Sequence, residues 1–233
     1  MTATQTSIRV EPSAKWVRGY LDAEPVVDSK RVLVVYGLKR TPLYFFPRDD
    51  VRLNLTAGGC KDDLQYWNSD GVQDIAFSFA DAPERELEDY VAFDWKKLDS
   101  WYEEDEEVFV HPRDAHHRVD VLNSSRHVQI VIDGHVVADS HRPRLLFETG
   151  IRTRYYLPKL DVRMDLLEPT EMHSACPYKG NAVYWSARIG ERVYRDVVWS
   201  YPFPTPESAK IQNLLSFYDE KVDVYVDGEL QPR

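Results

Sequence analysis

The sequence predicts a mainly β protein made of two tandem antiparallel domains, each with one short helix, packed against each other. Three observations predict this. First, residues 8–52 lie over residues 119–163 without a gap at a constant spacing of 111, so that Val17/Val128, Asp28/Asp139, Ser29/Ser140, Arg31/Arg142, Asp50/Asp161 and Arg52/Arg163 coincide. Self-similarity at such a period marks a duplicated domain. Second, short apolar and aromatic runs alternate with turn residues along both copies, as in sheets of short antiparallel strands. Third, the joint His111–Arg118 is short and polar and has no low-complexity character, which suits a packed pair better than beads on a string. The divisions are therefore 1–110 for the first copy, 111–118 for the linker and 119–233 for the second copy.

The second copy shows the elements best. In HVQIVIDGHVVADS, Val128, Ile130 and Ile132 alternate up to Asp133-Gly134, a dipeptide that tolerates positive φ in a two-residue hairpin. Strand-like runs follow at Leu145–Phe147, Arg154–Leu157, Ala182–Ile189 and Arg192–Tyr201, and in the closing VDVYVDG. A helix is expected after Thr205, which would cap it, with Pro206 at its first position and Ile211, Leu214, Leu215 and Tyr218 at helical spacing. The first copy's equivalent, Ala82–Glu104, is longer and more acidic. The repeat resumes with Asp74–Phe79 against Asp196–Tyr201, then Trp101-Tyr102 against Phe217-Tyr218 and Val108–Val110 against Val224–Val226. From Arg52 to Asp74 is 22 positions and from Arg163 to Asp196 is 33, so the second copy carries 11 extra residues, which this alignment places within His173–Trp185.

Composition excludes several function classes. The 29 basic against 39 acidic residues leave a net charge of −10, which argues against nucleic acid or an anionic membrane as partner. The start MTATQTSIRV lacks the pattern of a signal peptide, and no run approaches the ~18 apolar residues of a membrane span, so a cytoplasmic setting is expected. Cys60 and Cys176 lie in different copies and make no disulfide framework. His173 and Cys176 have H-x-x-C spacing but no second pair at recognisable spacing. No metal and no cofactor is expected.

The second copy also resembles a known family. The segments Phe147-Glu148, RYYLPKLDV (Arg154–Val162), CPYKG (Cys176–Gly180), AVYW (Ala182–Trp185), DVVWSYPFP (Asp196–Pro204), SFY (Ser216–Tyr218) and VDVYVDG look like the domain of unknown function family 427, which also carries a nucleotidyltransferase label. The joint from Trp101 to Val128 resembles that of its two-domain bacterial members. The resemblance implies a topology similar to β-tent folds, which include methionine sulfoxide reductase B and the thalidomide-binding domain of cereblon. Those relatives hold zinc through paired CxxC motifs. This chain has none, so neither the zinc nor the reductase chemistry carries across.

Residues found only in the second copy are the candidates for chemistry. Cys176 opens the CPYKG loop, where Tyr178 is a candidate ligand contact and Lys179 supplies a cation for a thiolate or an oxyanion. Cys176 reads equally as a small buried apolar side chain. Glu148 stands where the first copy has Gly37, so the scaffold does not need the carboxylate; it is a candidate general acid or base or a solvated strand-end residue. Tyr156, Trp185, Trp199 and Tyr201 are candidate pocket walls, with Trp199 and Tyr201 two apart on one strand face. The opposing reading is core, because the first copy has Phe77 and Phe79 at those positions. Asp50/Asp161 and Arg52/Arg163 occur in both copies and read as ion pairs or turn braces. The acidic run Glu103–Glu107 reads as a solvated helix end, with neither of the phosphate-binding patterns that nucleotidyl transfer needs. The neighbouring His111, Arg113, His116, His117 and Arg118 are placed to fold against the second domain.

The expected function is a metal-free enzyme that uses acid–base or cysteine chemistry on a small polar or planar metabolite held by the second domain. A non-catalytic binding module with an aromatic cage is the alternative, and a Mg²⁺-dependent nucleotidyltransferase the third reading. The oligomeric state is left open.

Overall fold

A computed structural model describes residues 8–233 of the chain. The chain divides between Asp114 and Ala115 into two compact units, so residues 115–118 of the expected linker belong to the second. Both units are mainly β and antiparallel, and every helix among the described residues is a short 3-10 turn. None is long and apolar enough to cross a membrane.

The duplication is visible strand by strand. In the first unit Val17–Leu21 pairs with Glu24–Ser29, Val17 opposite Ser29; in the second Val128–Ile132 pairs with His135–Ser140, Val128 opposite Ser140. The second hairpin turns at Asp133-Gly134, both at positive φ (50° and 77°), as the sequence predicts. Ser29 and Arg31 hydrogen bond to Asp50, and Ser140 and Arg142 to Asp161, through the same atoms. Arg142 and Ser140 hold Asp161 below the usual carboxylate range. At Asp50 burial opposes ionisation, but Arg31 and Ser29 outweigh it. The shared aspartates are thus turn braces, paired with Arg31 and Arg142. Arg52 instead pairs with Asp28, and Arg163 with Asp165.

Each unit carries a large sheet with a core on either face. In the first unit the large sheet has seven strands, in the order Arg9–Pro12, Leu33–Tyr36, Leu43–Pro47, Tyr90–Phe93, Val72–Phe79, Leu64–Ser69, Thr56–Lys61. In the second the same order is split into three strands (Val119–Asn123, Arg144–Glu148, Arg154–Tyr156) and four (Leu215–Phe217, Arg192–Pro204, Gly180–Ile189, Leu167–Cys176), linked by a bridge between Leu157 and Leu215. One face packs on the small sheet: Val128, Ile130, Val137, Val198, Leu215, Phe217 and Val224 make that core in the second unit. The other face bears Leu146, Tyr156, Tyr184, Trp199, Tyr201 and Ile211. Burying both faces is what lets successive residues of one strand be apolar.

Three expectations change. The helix expected after Thr205 is a 3-10 turn, Pro206–Ile211, followed by strand Leu215–Phe217. Asn213 at φ 59° breaks the segment, and the apolar spacing has period two: Leu214 and Tyr218 pack on one core, Leu215 and Phe217 on the other. In the first copy Ala82–Glu104 likewise becomes two 3-10 turns flanking the central strand Tyr90–Phe93, and Glu103–Glu107 becomes the end of a hairpin. There Glu103 binds Tyr44 and Lys15, Glu104 accepts from the Trp16 amide, and Asp105 pairs with Arg18, so three of its carboxylates are committed to protein partners. Finally, Trp101 lies opposite Gly19 while Val224 lies opposite Ile130. Since Gly19 and Ile130 are 111 apart, the partner of Trp101-Tyr102 is Val224-Tyr225, and Phe93 takes the place matched to Phe217.

The 11 extra residues are strand extensions. Pairing superposes Tyr66-Trp67 on Tyr184-Trp185, 118 residues on, and Ala76 on Val198, 122 on. Seven extra residues therefore precede Tyr184 and four lie in the hairpin around Gly190. In the first copy the hairpin turns at Asp62-Asp63, after Lys61 pairs with Leu64. In the second it runs on through Ser174 and Cys176, opposite Ala182 and Gly180, before turning at Pro177–Lys179.

Candidate functional site

The extension walls a cavity of about 230 Å³ in the second unit, lined by Leu146, Glu148, Ile151, Arg154, Tyr156, Ser174, Cys176, Lys179, Tyr184, Trp199, Tyr201 and Tyr218. Period-two alternation places them: Leu146 and Glu148, Ser174 and Cys176, and Trp199 and Tyr201 are each two apart on a strand. Larger recesses exist, one of about 650 Å³ beside Arg18 and Tyr102 in the first unit. Only the 230 Å³ cavity, among those described, gathers a thiol, a carboxylate, an ammonium and several phenols.

Glu148 is the polar centre. Its side chain is only 5% exposed, and its two oxygens are committed to different partners: His117 Nε2 at 2.9 Å and the ammonium of Lys179, itself 11% exposed. A carboxylate can be held at this depth because a cation and a ring nitrogen replace its lost water. His117 stacks on Tyr178, ring centroids 4.1 Å apart. Arg154 is likewise paired, to Asp219 and to Glu220.

The tight turn that carries Cys176 and Lys179 depends on Gly180. Its φ is +96°, and a Cβ there would lie 2.8 Å from the carbonyl oxygen of Phe203. Thr205, expected as a helix cap, instead donates from Oγ1 to the Tyr178 carbonyl at 2.6 Å, joined by Ser208 Oγ at 3.0 Å.

Two of the phenols keep their protons. Burial pushes both Tyr156 and Tyr201 well above the ordinary tyrosine range, so both hydroxyls stay protonated at neutral pH. Trp199 Nε1 donates to the Tyr156 hydroxyl at 3.0 Å, which leaves that O–H free to donate elsewhere. Tyr184 OH meets Ser174 Oγ at 2.7 Å and Tyr218 OH at 3.5 Å.

Of the residues singled out from sequence, Glu148, Cys176, Lys179, Tyr156, Trp199 and Tyr201 meet at this cavity. Two do not line it. Tyr178 backs His117 instead. Trp185 points to the opposite core with Lys159 near its ring, and the first copy has the same tryptophan, Trp67, packed on the matching core; it is a shared scaffold residue. His173 is exposed and bound through Nδ1 to the Glu171 carbonyl oxygen, on the opposite strand face from Ser174. Tyr184, one of the dense aromatic set of the second copy, also lines it, and Arg154, Ser174 and Tyr218 join the site although sequence reasoning assigned them no role there.

The first copy is an internal control. At the positions of Leu146, Glu148, Arg154, Tyr156, Trp199 and Tyr201 it has Val35, Gly37, Leu43, Phe45, Phe77 and Phe79. Phe45 packs edge-on to Phe77 and stacks on Phe79, inside an apolar cluster that includes Val35 and Leu43. The scaffold is therefore compatible with a hydrocarbon core at this place.

No curated protein matches the chain. The profile of a family described as a domain of unknown function (DUF427) matches residues 9–104 and again 120–228. The chain belongs to that family and contains its domain twice.

Proposed function

We propose that, in this two-copy family member, the second domain is a small-molecule enzyme working by acid–base chemistry, and that the first domain is its degenerate scaffold partner. The observation that carries the reading is the contrast between the copies: one scaffold position holds packed phenylalanines in the first and a buried Glu148–Lys179–His117 network beside a thiol and phenols in the second. Burying such groups costs several kcal/mol unless they are well paired, and the fold does not need them.

In this reading Glu148 accepts a proton from the bound substrate on a carboxylate lone pair that neither His117 nor Lys179 occupies. The protonated Tyr156 and Tyr201 hydroxyls donate to the oxygen on which charge develops. Glu148 then gives that proton back to a second atom of the bound molecule, which restores the carboxylate and completes the cycle. Cys176 lines the same space and is the alternative attacking group, as a thiolate.

Size and charge narrow the substrate class. A volume of about 230 Å³ lies below the roughly 300–1,000 Å³ of drug-sized sites, which disfavours a nucleoside triphosphate and hence nucleotidyl transfer. The ionic groups in the lining are paired within the protein, which favours a neutral polar molecule. An aromatic cage for an external cation is less well supported, because Arg154 already lies 5.6 Å from the Trp199 ring centroid and Tyr218 4.5 Å. The free thiols fit a reducing, cytoplasmic setting.

A thermal-shift screen of small neutral metabolites, followed by iodoacetamide labelling, tests the reading. A true ligand raises Tm and slows alkylation of Cys176 while leaving exposed Cys60 unaffected. Stabilising compounds that leave Cys176 labelling unchanged would bind elsewhere and contradict the assignment.

A further inference from the structure

We infer that His127, Asp139 and His141 form a binding site for a divalent transition-metal ion of the zinc, nickel or copper class. None of the three lines the cavity described above, and the inference does not depend on the reaction proposed for it. Sequence spacing does not reveal the set, because His127 directly precedes one strand of a hairpin, Val128–Ile132, while Asp139 lies in its partner, His135–Ser140, and His141 directly follows it.

The hairpin aligns them. Val128 lies opposite Ser140, so His127 and His141 flank that pair on adjacent strands, where side chains come into direct contact. Their rings stack with centroids 4.1 Å apart and planes within 13°. One ligand atom from each of His127, Asp139 and His141 lies within 4.8 Å of the others. Metal–nitrogen and metal–oxygen bonds are about 2.0–2.2 Å, so modest side-chain rotation brings all three onto one ion.

The surroundings hold the set in place. His127 Nε2 faces Asp139 Oδ1 at 2.8 Å, and Gln129 Nε2 donates to the other Asp139 oxygen at 2.8 Å. The His127 amide donates to Asp227 Oδ1 at 2.9 Å, and the Asp227 amide to the His127 carbonyl at 2.8 Å. The ion takes the Nε2 lone pair of the Nδ1–H tautomer of His127, in place of the contact between Nε2 and Asp139. Two imidazoles and one carboxylate favour zinc, nickel or copper over magnesium or calcium, which prefer all-oxygen sets.

The first copy again shows what the fold alone requires. At these positions it has Trp16, Asp28 and Lys30: Trp16 Nε1 donates to Asp28 Oδ1 at 2.7 Å, and the Lys30 ammonium lies 4.9 Å from the Trp16 ring centroid. The shared aspartate is satisfied there without any metal-binding nitrogen. The second copy keeps the aspartate and replaces both neighbours with histidine.

Isothermal titration of the untagged, EDTA-treated full chain with zinc chloride and with nickel chloride tests the site. One equivalent of metal should bind. His127→Ala and His141→Ala should each weaken binding by more than about tenfold, since losing a group that merely touches a metal ligand already costs 10–100-fold. His135→Ala, on the same hairpin but bound through Nδ1 to the Asp133 carbonyl, should bind as wild type does. The double variant His127→Trp/His141→Lys restores the first copy's residues, so it should fold and bind no metal. Absence of binding of both ions to folded wild type, or an unchanged affinity in the folded double variant, would overturn the inference.

Discussion

Glu148→Gln should bind the cavity's ligand within about tenfold of wild-type affinity and lose turnover by about 10²–10⁴-fold, the usual contribution of a positioned acid–base group. Glutamine has the same shape and can still meet His117 and Lys179, the two partners of Glu148, but it cannot take a proton. The change removes the negative charge beside Lys179, and some loss of stability is expected from the unpaired ammonium. Glu148→Asp separates the two effects: it restores the charge on a shorter arm and should recover part of the turnover. The measurement is steady-state kinetics on the compound found by thermal shift, with its Kd determined in parallel. Wild-type turnover in Glu148→Gln would remove Glu148 from the chemistry.

Gly180→Ala should lower the stability of the second domain by about 2–4 kcal/mol, combining the ~1–2 kcal/mol of a left-handed backbone with the overpacking of a close contact. The atom 2.8 Å from the added Cβ is the Phe203 carbonyl oxygen, and Pro204 Cα is next at 3.4 Å. Both are backbone within the sheet and cannot swing aside. Relief requires moving the turn that carries Cys176 and Lys179, so ligand binding should fall with stability. Gly190→Ala is the control, because its φ is +58° yet nothing lies within 4 Å of the new Cβ; it should cost only the ~1–2 kcal/mol of the left-handed backbone. Denaturant unfolding of the full chain, followed in both variants, checks the difference. Equal costs at the two positions would show that the contact with Phe203 does not constrain the turn.

The ungapped half of the repeat was legible because strands of equal length keep residue number and face in step: Ser140, Arg142 and Asp161 repeat the brace of Ser29, Arg31 and Asp50. Beyond Arg163 that logic weakens, since a hairpin can lengthen by residues added to both arms, and a one-dimensional alignment cannot tell an extended ladder from a loop. Only strand pairing matches Tyr66-Trp67 to Tyr184-Trp185, and with that match Trp185 is a shared residue packed on the core and not one of the site. After Thr205 a turn followed by a strand buried on both faces puts Ile211, Leu214, Leu215 and Tyr218 at intervals that imitate a helix.

At the cavity, the difference between the copies was the informative signal. Glu148 over Gly37, and Trp199 and Tyr201 over Phe77 and Phe79, were visible as substitutions on a shared scaffold, and they meet in one place. The pairing of Glu148 with His117 was not visible. It joins residues 31 apart, and only the position of His117 in the joint hinted at it. Ser174 and Arg154 were equally hidden, because a serine or an arginine in an exposed-looking strand gives no sign of which face it takes.

The central claim is that the polar lining of the second domain serves a ligand and not the fold. Restoring the first copy's side chains with Tyr156→Phe/Trp199→Phe/Tyr201→Phe tests it most directly. Removing the Trp199–Tyr156 donor and acceptor together leaves neither unpaired, so the unliganded variant should stay within about 2 kcal/mol of wild type. Thermal unfolding of both proteins, with and without the compound that stabilises wild type, should show a folded variant that no longer responds to it. A variant that fails to fold, or one whose Tm rises with ligand as much as wild type's, would contradict the claim.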